Sequence, residues 1–516
     1  MTAISLRKLV LLPHLSGEEK PLGNRTTISW KKAGQFTCLF FWMLPAFSQS
    51  NTWLIQEPYV KAHQLTLSLQ LDESRKLLSS SAVTPEAIYI NSLSDVFELL
   101  ISEDADRFAE LEQVYESRIN TLKKASPQTA KELFVLAELR LQWAFVYLKF
   151  GHDFTAAWSV RQAHVISMEC LRKFPEFMPT KKTAGLLEIM LGSVPEKYQW
   201  VLNLLGMRGS LENGLAMLTE VKSIDNPLAD EAELLHPLIN GFVLQQTDSA
   251  LIHLELLHRN QPQNRLILFL GASLAIKNSS SELAMIMLEK LKGRSTGLPL
   301  YYSDYLLGEV YLHQGNYPKS IAAYQHFINQ YKGINYIKDA HYKIGLSYWL
   351  QHQPERAKVY FELAKLKGRE VTEADKYAAR SLAENDFFNI PITRARYAID
   401  GGYYDEAIRL LKSIKKEDLN STHDLAEYHY RFARLYHKTN LLTEAKRYYE
   451  QTIELSGSET WYFAPNACLQ LGYILRDEGN KDEARKYFNK ALSYKKHAYK
   501  NSIDSKAKSA LAQLKK

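Results

Sequence analysis

A chain of 516 residues with 46% hydrophobic content can bury a large core, and 64 Lys+Arg against 57 Asp+Glu leave a formal charge of only +7. That balance argues against a nucleic-acid binder, which carries a basic stripe with interleaved aromatics. Three cysteines are too few for a disulfide framework.

Lys31 and Lys32 precede an apolar run from Phe36 to Phe47, followed by Ser48-Gln49-Ser50-Asn51. A basic flank, a short greasy core and small residues at Ala46 and Ser48 have the form of a secretory signal peptide, cleaved after Ser48. The run is shorter than the about 20 apolar residues of a membrane span, and no other segment approaches that length, so no transmembrane helix is expected. Signals normally start near the initiator, whereas Met1–Trp30 lies ahead of this one. The expectation is a misassigned start, with 1–48 an N-terminal extension plus signal. Cys38 lies inside the apolar run, unlike the cysteine of a lipoprotein.

Residues 49–125 read as an N-terminal helical region. Val60–Leu78, Pro85–Ile101 and Ala105–Lys124 carry apolar residues at three- and four-residue steps. Thr84-Pro85-Glu86 and Ser126-Pro127-Gln128 read as helix starts, with a capping hydroxyl and proline in the first turn. Residues 126–230 form a divergent helical block. Within it, 183–221 contains Gly192, Pro195, Gly206, Gly209 and Gly214 around an apolar stretch at Tyr198–Leu205, and reads as a packing junction.

Residues 231–516 are repetitive. Gly308 is followed by Tyr311, Ser320, Tyr324 and Phe327, and Gly345 by Tyr348, Ala357, Phe361 and Ala364. Ala433 leads to Tyr436, Ala445, Tyr449 and Thr452; Gly472 leads to Leu475, Ala484, Phe488 and Ala491. The first small residue allows a close helix approach, and the aromatic three places on is expected to fill the gap. Gln314-Gly315-Asn316-Tyr317-Pro318 and Asp477-Glu478-Gly479-Asn480-Lys481 are the turns, where glycine and asparagine would end the first helix in left-handed geometry. A copy at Asp400–Ala407 has a poorer first helix, with Pro391 and Arg394, and is expected to mark a kink or a change of superhelical course.

These residues resemble the tetratricopeptide repeat (TPR). Its frame extends upstream to Ala272, Ala275, Ala284, Leu288 and Leu291, to Ala250, Leu254, Leu257 and Pro262, and to Trp143, Ala144, Tyr147, Ala156 and Ala163. The resemblance implies an all-α α-solenoid of helical hairpins winding in a right-handed superhelix, closed by a C-terminal capping helix. Cys170 and Cys468, far apart in such an array, read as small buried apolar residues. Segment 183–221 is also similar to part of the eukaryotic TPR family that includes the yeast mitochondrial inclusion-clearance protein, which implies a shared helical insertion.

No phosphate-binding glycine loop, Gly-x-Gly-x-x-Gly, His-Glu-x-x-His, Cys-x-x-Cys or Gly-x-Ser-x-Gly occurs. His253 and His258 are wrongly spaced for one metal, and His429 and His437 lack a third ligand. No catalytic residue, cofactor or metal is implied. The resemblance places a concave groove on the first helices, with Tyr302, Tyr305, Tyr342, Trp349, Tyr430, Arg434, Tyr473 and Arg476 pointing in and Arg431 at the rim. Rings and guanidinium groups suit an extended peptide. The Lys and Asn of the family's carboxylate clamp do not recur. The expectation is a non-enzymatic, exported scaffold in a bacterial envelope, periplasmic, binding a protein or peptide and no nucleic acid. The alternative is an envelope enzyme or assembly factor with its site in 178–230. A third reading is peripheral membrane contact through the basic tail that runs from Lys481 through Lys516.

Overall fold

A computed structural model describes residues 53–54, 56–194, 202–203, 205–223, 227–244, 246–294, 296–383, 389–419 and 421–514. The expected extension and signal, 1–48, lie outside the described residues, as does most of the apolar stretch at 198–205. The described residues form 24 α-helices and no strand.

The first four helices are α1 (Tyr59–Leu67), α2 (Leu71–Leu78), α3 (Pro85–Ser102) and α4 (Ala105–Lys124). The single helix expected over Val60–Leu78 is divided at Leu69, which adopts φ 64°. The reason is tertiary: Leu69 is fully buried, and its carbonyl accepts Leu298 N–H at 2.9 Å. Thr84 caps α3 as expected, its Oγ1 accepting Ala87 N–H at 3.2 Å. The next helix starts three residues beyond Pro127. Thr129 and Glu132 form a capping box there, with Thr129 N–H donating to Glu132 Oε2 at 2.9 Å.

Hairpins follow: α5 (Ala130–Phe150) with α6 (Asp153–Lys173), and α7 (Pro179–Gly192) with α8 (Leu211–Lys222). Next come α9 (Pro227–Leu238), a π-turn at Ile239–Val243, and α10 (Thr247–Asn260). Then α11 (Arg265–Lys277) pairs with α12 (Ser281–Lys292), α13 (Tyr302–His313) with α14 (Tyr317–Gln330), and α15 (Ile337–Leu350) with α16 (Pro354–Leu366). After a lone α17 (Glu373–Ala383) come α18 (Ile390–Gly401) with α19 (Tyr404–Ser413), α20 (Thr422–Lys438) with α21 (Leu442–Ser456), and α22 (Phe463–Asp477) with α23 (Lys481–Ser493). The last helix, α24 (Lys500–Gln513), packs on α22 and α23. The chain is an α-solenoid of hairpins.

The twelve-residue step is a ring-on-glycine contact. A Cβ on Gly308 would lie 2.7 Å from the Tyr324 ring, one on Gly345 2.7 Å from Phe361, and one on Gly472 2.5 Å from Phe488. The ring filling the gap therefore comes from the second helix, sixteen positions on. Tyr311 and Tyr348, expected in that place, are half-buried at the side. Ser320 Oγ ties the crossing by donating to Gly308 O at 2.9 Å. Gly315 and Gly479 take the left-handed turn geometry (φ 72° and 84°). Asn316 and Asn480 instead cap the helix that follows, each Oδ1 accepting a backbone N–H at 3.4 Å. Truncating one of the fully buried rings costs about 3–5 kcal/mol.

Both irregular places have a packing cause. Helices α7 and α8 cross glycine on glycine: a Cβ on Gly214 would meet Gly185 O at 2.5 Å, and one on Gly209 would meet Glu188 O at 2.6 Å. Near Pro391 no kink forms. Proline occupies the first turn, where no N–H is needed, behind the Asn389 cap. Helix α18 packs on α13 and α15. Arg394, misplaced for a leucine, donates to Leu350 O and lies 5.8 Å over the Tyr317 ring.

One hydrophobic cluster runs from Trp53 to Ile344, and another closes the C-terminal end from Ala426 to Leu514. The first is not built from neighbouring hairpins alone. Tyr331 OH and Asn335 Nδ2 donate to Glu103, and Lys332 Nζ donates to Asp104 Oδ2 at 2.7 Å, joining the α3–α4 turn to the α14–α15 turn. Cys170 and Cys468 are free and buried, one in each cluster.

Candidate functional site

The expected groove residues all lie on the first helices of their hairpins, and their exposure divides them. Tyr305, Tyr342, Tyr430 and Arg431 are 4%, 1%, 3% and 6% exposed, so all four are closed into helix packing rather than open to a ligand. Tyr305 OH donates to Asp339 Oδ2 at 2.5 Å. Tyr342 packs beside Phe361 and Tyr377, and Tyr430 lies among Tyr449, Tyr462 and Phe463. Arg431 is not at the rim. A buried guanidinium needs a counter-charge, and Glu427 one turn earlier supplies it at 2.5 Å, with Tyr462 OH at 3.0 Å.

Tyr302, Trp349, Arg434, Tyr473 and Arg476 keep part of their surface. Tyr302 stacks on Tyr305 with centroids 5.1 Å apart. Arg476 lies 5.1 Å over Tyr473, pairs with Asp477 at 2.8 Å, and donates to Gln513 of α24 at 3.3 Å.

A concentrated cluster of rings and guanidinium groups was missed by the repeat offsets. Arg396 of α18 donates from Nη1 to Tyr377 OH of α17 at 2.7 Å, and its guanidinium lies 5.2 Å over Tyr377 and 5.5 Å over Tyr397. Tyr499 lies 5.3 Å from Tyr462 and 6.5 Å from Tyr377, with Arg380 5.4 Å over its ring. Burial pushes the hydroxyls of Tyr397, Tyr462 and Tyr499 up from their ordinary value. For Tyr377 burial acts the same way, but the Arg396 guanidinium outweighs it and holds the hydroxyl below its ordinary value. The carboxylate nearest the guanidinium, Asp400, stands 3.7 Å from Arg396 Nε. Tyr377 and Tyr499 lie outside any hairpin, so no repeat spacing could have placed them.

A second polar cluster lies in the N-terminal half. Lys182 Nζ donates to Glu231 Oε2 at 2.6 Å, Glu138 Oε2 at 2.9 Å and Tyr89 OH at 2.8 Å. His63 Nε2 and Tyr89 OH each lie 2.5 Å from Glu231 Oε1. Thr183 and Gln142 hydrogen-bond Glu138, and Ser92 bonds Gln142. Burial alone would raise the Glu231 carboxyl, but the Lys182 ammonium and His63 hold it far below the ordinary carboxylate range. Burial lowers and the two carboxylates more than restore the Lys182 ammonium. All these side chains are buried, so the cluster ties α1, α3, α5, α7 and α9 together. Among the described residues no group of three His, Cys, Asp or Glu is placed to hold a metal ion.

Tetratricopeptide repeat models match residues 302–333, 426–459 and 465–497. The chain carries tetratricopeptide repeats. The matched TPR hairpins are α13–α14, α20–α21 and α22–α23, which include the ring-on-glycine contacts at Gly308 and Gly472. Among solved structures, the human IFIT1 dimer with PPP-AAAA is 14% identical over 86% of this chain and 95% of that one, with a TM-score of 0.30. The APC/C hetero-tetramer Cut9–Hcn1 is 12% identical over 89% and 96%, with a TM-score of 0.28. The apo quorum sensor NprR from B. thuringiensis is 14% identical over 77% and 97%, with a TM-score of 0.28. At these scores none of the three bears on the function of this TPR chain. No curated protein sequence matches it significantly.

Proposed function

We propose that the chain is a non-catalytic scaffold that holds a partner protein as an extended segment along its inner face. The observation carrying this reading is the Arg396 assembly, in which α17, α18 and the segments before α22 and α24 bring guanidinium groups and tyrosine rings to one place. Such groups recognise carboxylates and apolar side chains together. The Lys182 cluster supports a structural rather than catalytic role, because no member is open to a substrate.

The proposal includes export to a bacterial envelope, on the basic flank at Lys31 and Lys32 and the apolar run from Phe36 to Phe47. Affinity capture from an envelope extract tests the partner. Charge reversal at Arg434 and Arg476 is expected to abolish the main captured protein, and unchanged capture would defeat the inner-face assignment. N-terminal sequencing of the native protein is expected to begin at Gln49; a peptide from residues 1–25 would sink the export reading.

A further inference from the structure

The Arg396 assembly is partly filled by the chain's own C-terminal end. Tyr499, the residue before α24, lies 6.5 Å from the Tyr377 ring of α17 and 19° from parallel to it. It meets the Tyr462 ring edge-on at 5.3 Å, and the Arg380 guanidinium of α17 covers it at 5.4 Å. Helix α24 itself packs on α22 and α23. The Tyr499 ring therefore carries the end of the chain beyond its own hairpin, onto a helix far earlier in the sequence.

Three observations mark Tyr499 as a removable occupant. Its backbone is left-handed, φ 63°, a conformation that a bulky side chain adopts only where its surroundings impose it. Residues 494–499 spend their side-chain hydrogen bonds locally: Lys500 Nζ donates to Tyr494 O at 3.0 Å, and His497 Nδ1 to Ala498 O at 2.7 Å. Ring contacts are what hold Tyr499 to Tyr377 and Tyr462. Finally, Ile503, Ala507, Ala510 and Leu514 bury one side of α24 in the C-terminal cluster, so the helix stays docked when Tyr499 leaves.

The occupant is also mismatched in charge. Residues 494–499 include Lys495 and Lys496 and no acid. The site they meet already holds Arg380, Arg396 and Arg431. Glu427 neutralises Arg431 at 2.5 Å, and Asp400 stands 3.7 Å from Arg396, but Arg380 makes no ion pair among the described residues. Its Nη2 is a buried donor with no acceptor there. A carboxylate would satisfy that donor and match the guanidinium charge. Tyr377, Arg380, Arg396 and Tyr462 are half-buried, so a ligand can reach them from solvent.

We propose that Tyr499 is a displaceable plug in the Arg396 assembly, and that the partner segment replacing it presents an aromatic side chain flanked by carboxylates. This rests on the scaffold reading and names the ligand's chemistry. The partner's ring takes the place between Tyr377 and Tyr462, and its acids pair with Arg380 and Arg396. Tail and partner compete for one site, so the tail lowers the apparent affinity by the fraction of time it is seated.

Fluorescence anisotropy on the full chain tests it, with a labelled peptide of one tyrosine between glutamate pairs as the probe. Tyr499→Gly removes the ring and accepts the left-handed backbone without strain, so the start of α24 is kept. This variant is expected to bind the probe roughly tenfold or more tighter than the native chain. Adding Arg380→Gln to it is expected to reverse most of that gain. Control peptides with alanine in place of the tyrosine, or lysines in place of the glutamates, are expected to bind weakly. Equal binding by native chain and Tyr499→Gly, or either control matching the probe, would overturn the proposal. A second measurement needs no variant. Saturating the native chain with probe should quicken amide exchange at Ser502 and Ile503, whose N–H groups donate to Tyr499 O at 2.9 and 3.0 Å. Unchanged exchange there at saturation overturns the plug. A partner captured equally by native chain and Tyr499→Gly removes the plug but leaves the scaffold. Failure of both to hold any partner removes the scaffold, while the probe measurement still decides the plug.

Discussion

The two ends of the molecule bury charge in opposite ways. In the N-terminal half Lys182 meets Glu138 and Glu231, and Glu231 meets His63, which is 168 positions away. At the C-terminal end Arg431 meets Glu427, four positions away in the same helix. The hydrophobic clusters follow suit: one spans Trp53 to Ile344, and the other stays within the last two hairpins and the final helix. A region fastened by distant partners unfolds as one unit, whereas one fastened locally can fray hairpin by hairpin.

Four measurements would break or sharpen that contrast. The largest effect is expected from Lys182→Ala, which leaves two buried carboxylates facing each other and costs about 3–5 kcal/mol. In urea, the fluorescence of Trp53 and Trp143, both buried in the N-terminal cluster, should then change before helicity at the C-terminal end is lost. Simultaneous loss of both signals would show that the ends are one unit.

Next is Asp375, which caps α15 from α17 by accepting Tyr336 N–H at 2.8 Å and Asp339 N–H at 3.1 Å. Burial pushes its carboxyl up to about 6 against those hydrogen bonds. The folded chain thus keeps a proton that the unfolded chain releases at about pH 4. Stability from this group is full below about pH 4 and is lost as pH rises through 6, by about 3 kcal/mol in all. Asp375→Asn is expected to flatten that part of the stability–pH curve; an unaltered slope would mean the carboxyl does not titrate there.

Gly472→Ala is expected to cost about 1–3 kcal/mol by overpacking, because its Cβ would lie 2.5 Å from the Phe488 ring. Hydrogen exchange should quicken in α22 and α23 and stay unchanged in α5. Faster exchange in α5 would break the locality of the C-terminal end. The smallest effect is expected from Arg476→Ala, within about 0.5 kcal/mol by thermal melting, since its side chain is 30% exposed and pairs with an exposed Asp477. A larger loss would assign it a packing role like that of Arg431.

The hairpins were legible because close packing imposes a spacing. Gly308, Gly345 and Gly472 each need a ring sixteen places on, and the period records that need. Which ring fills the gap was not legible, since Tyr311 and Tyr324 both suit a helix face. The Lys182 cluster left no trace, because its members lie on five helices with no fixed interval between them. Arg396 and its tyrosines were hidden for a related reason: Tyr377 and Tyr499 sit between hairpins, outside the frame. For the groove, spacing showed which helix face a residue occupies. It could not show that Tyr305, Tyr342, Tyr430 and Arg431 would be covered by elements that follow them in the chain.

The fastening of Glu103 to Asn335 sets an order of events during synthesis. The two are 232 residues apart, so at 5–20 residues per second Glu103 leaves the ribosome roughly ten to fifty seconds before its partner. Through that interval the Glu103 carboxylate lacks the Tyr331 and Asn335 donors that satisfy it in the folded chain. A nascent chain that ends short of residue 335 lacks this fastening, and the first cluster stays incomplete until Ile344 of α15 has emerged.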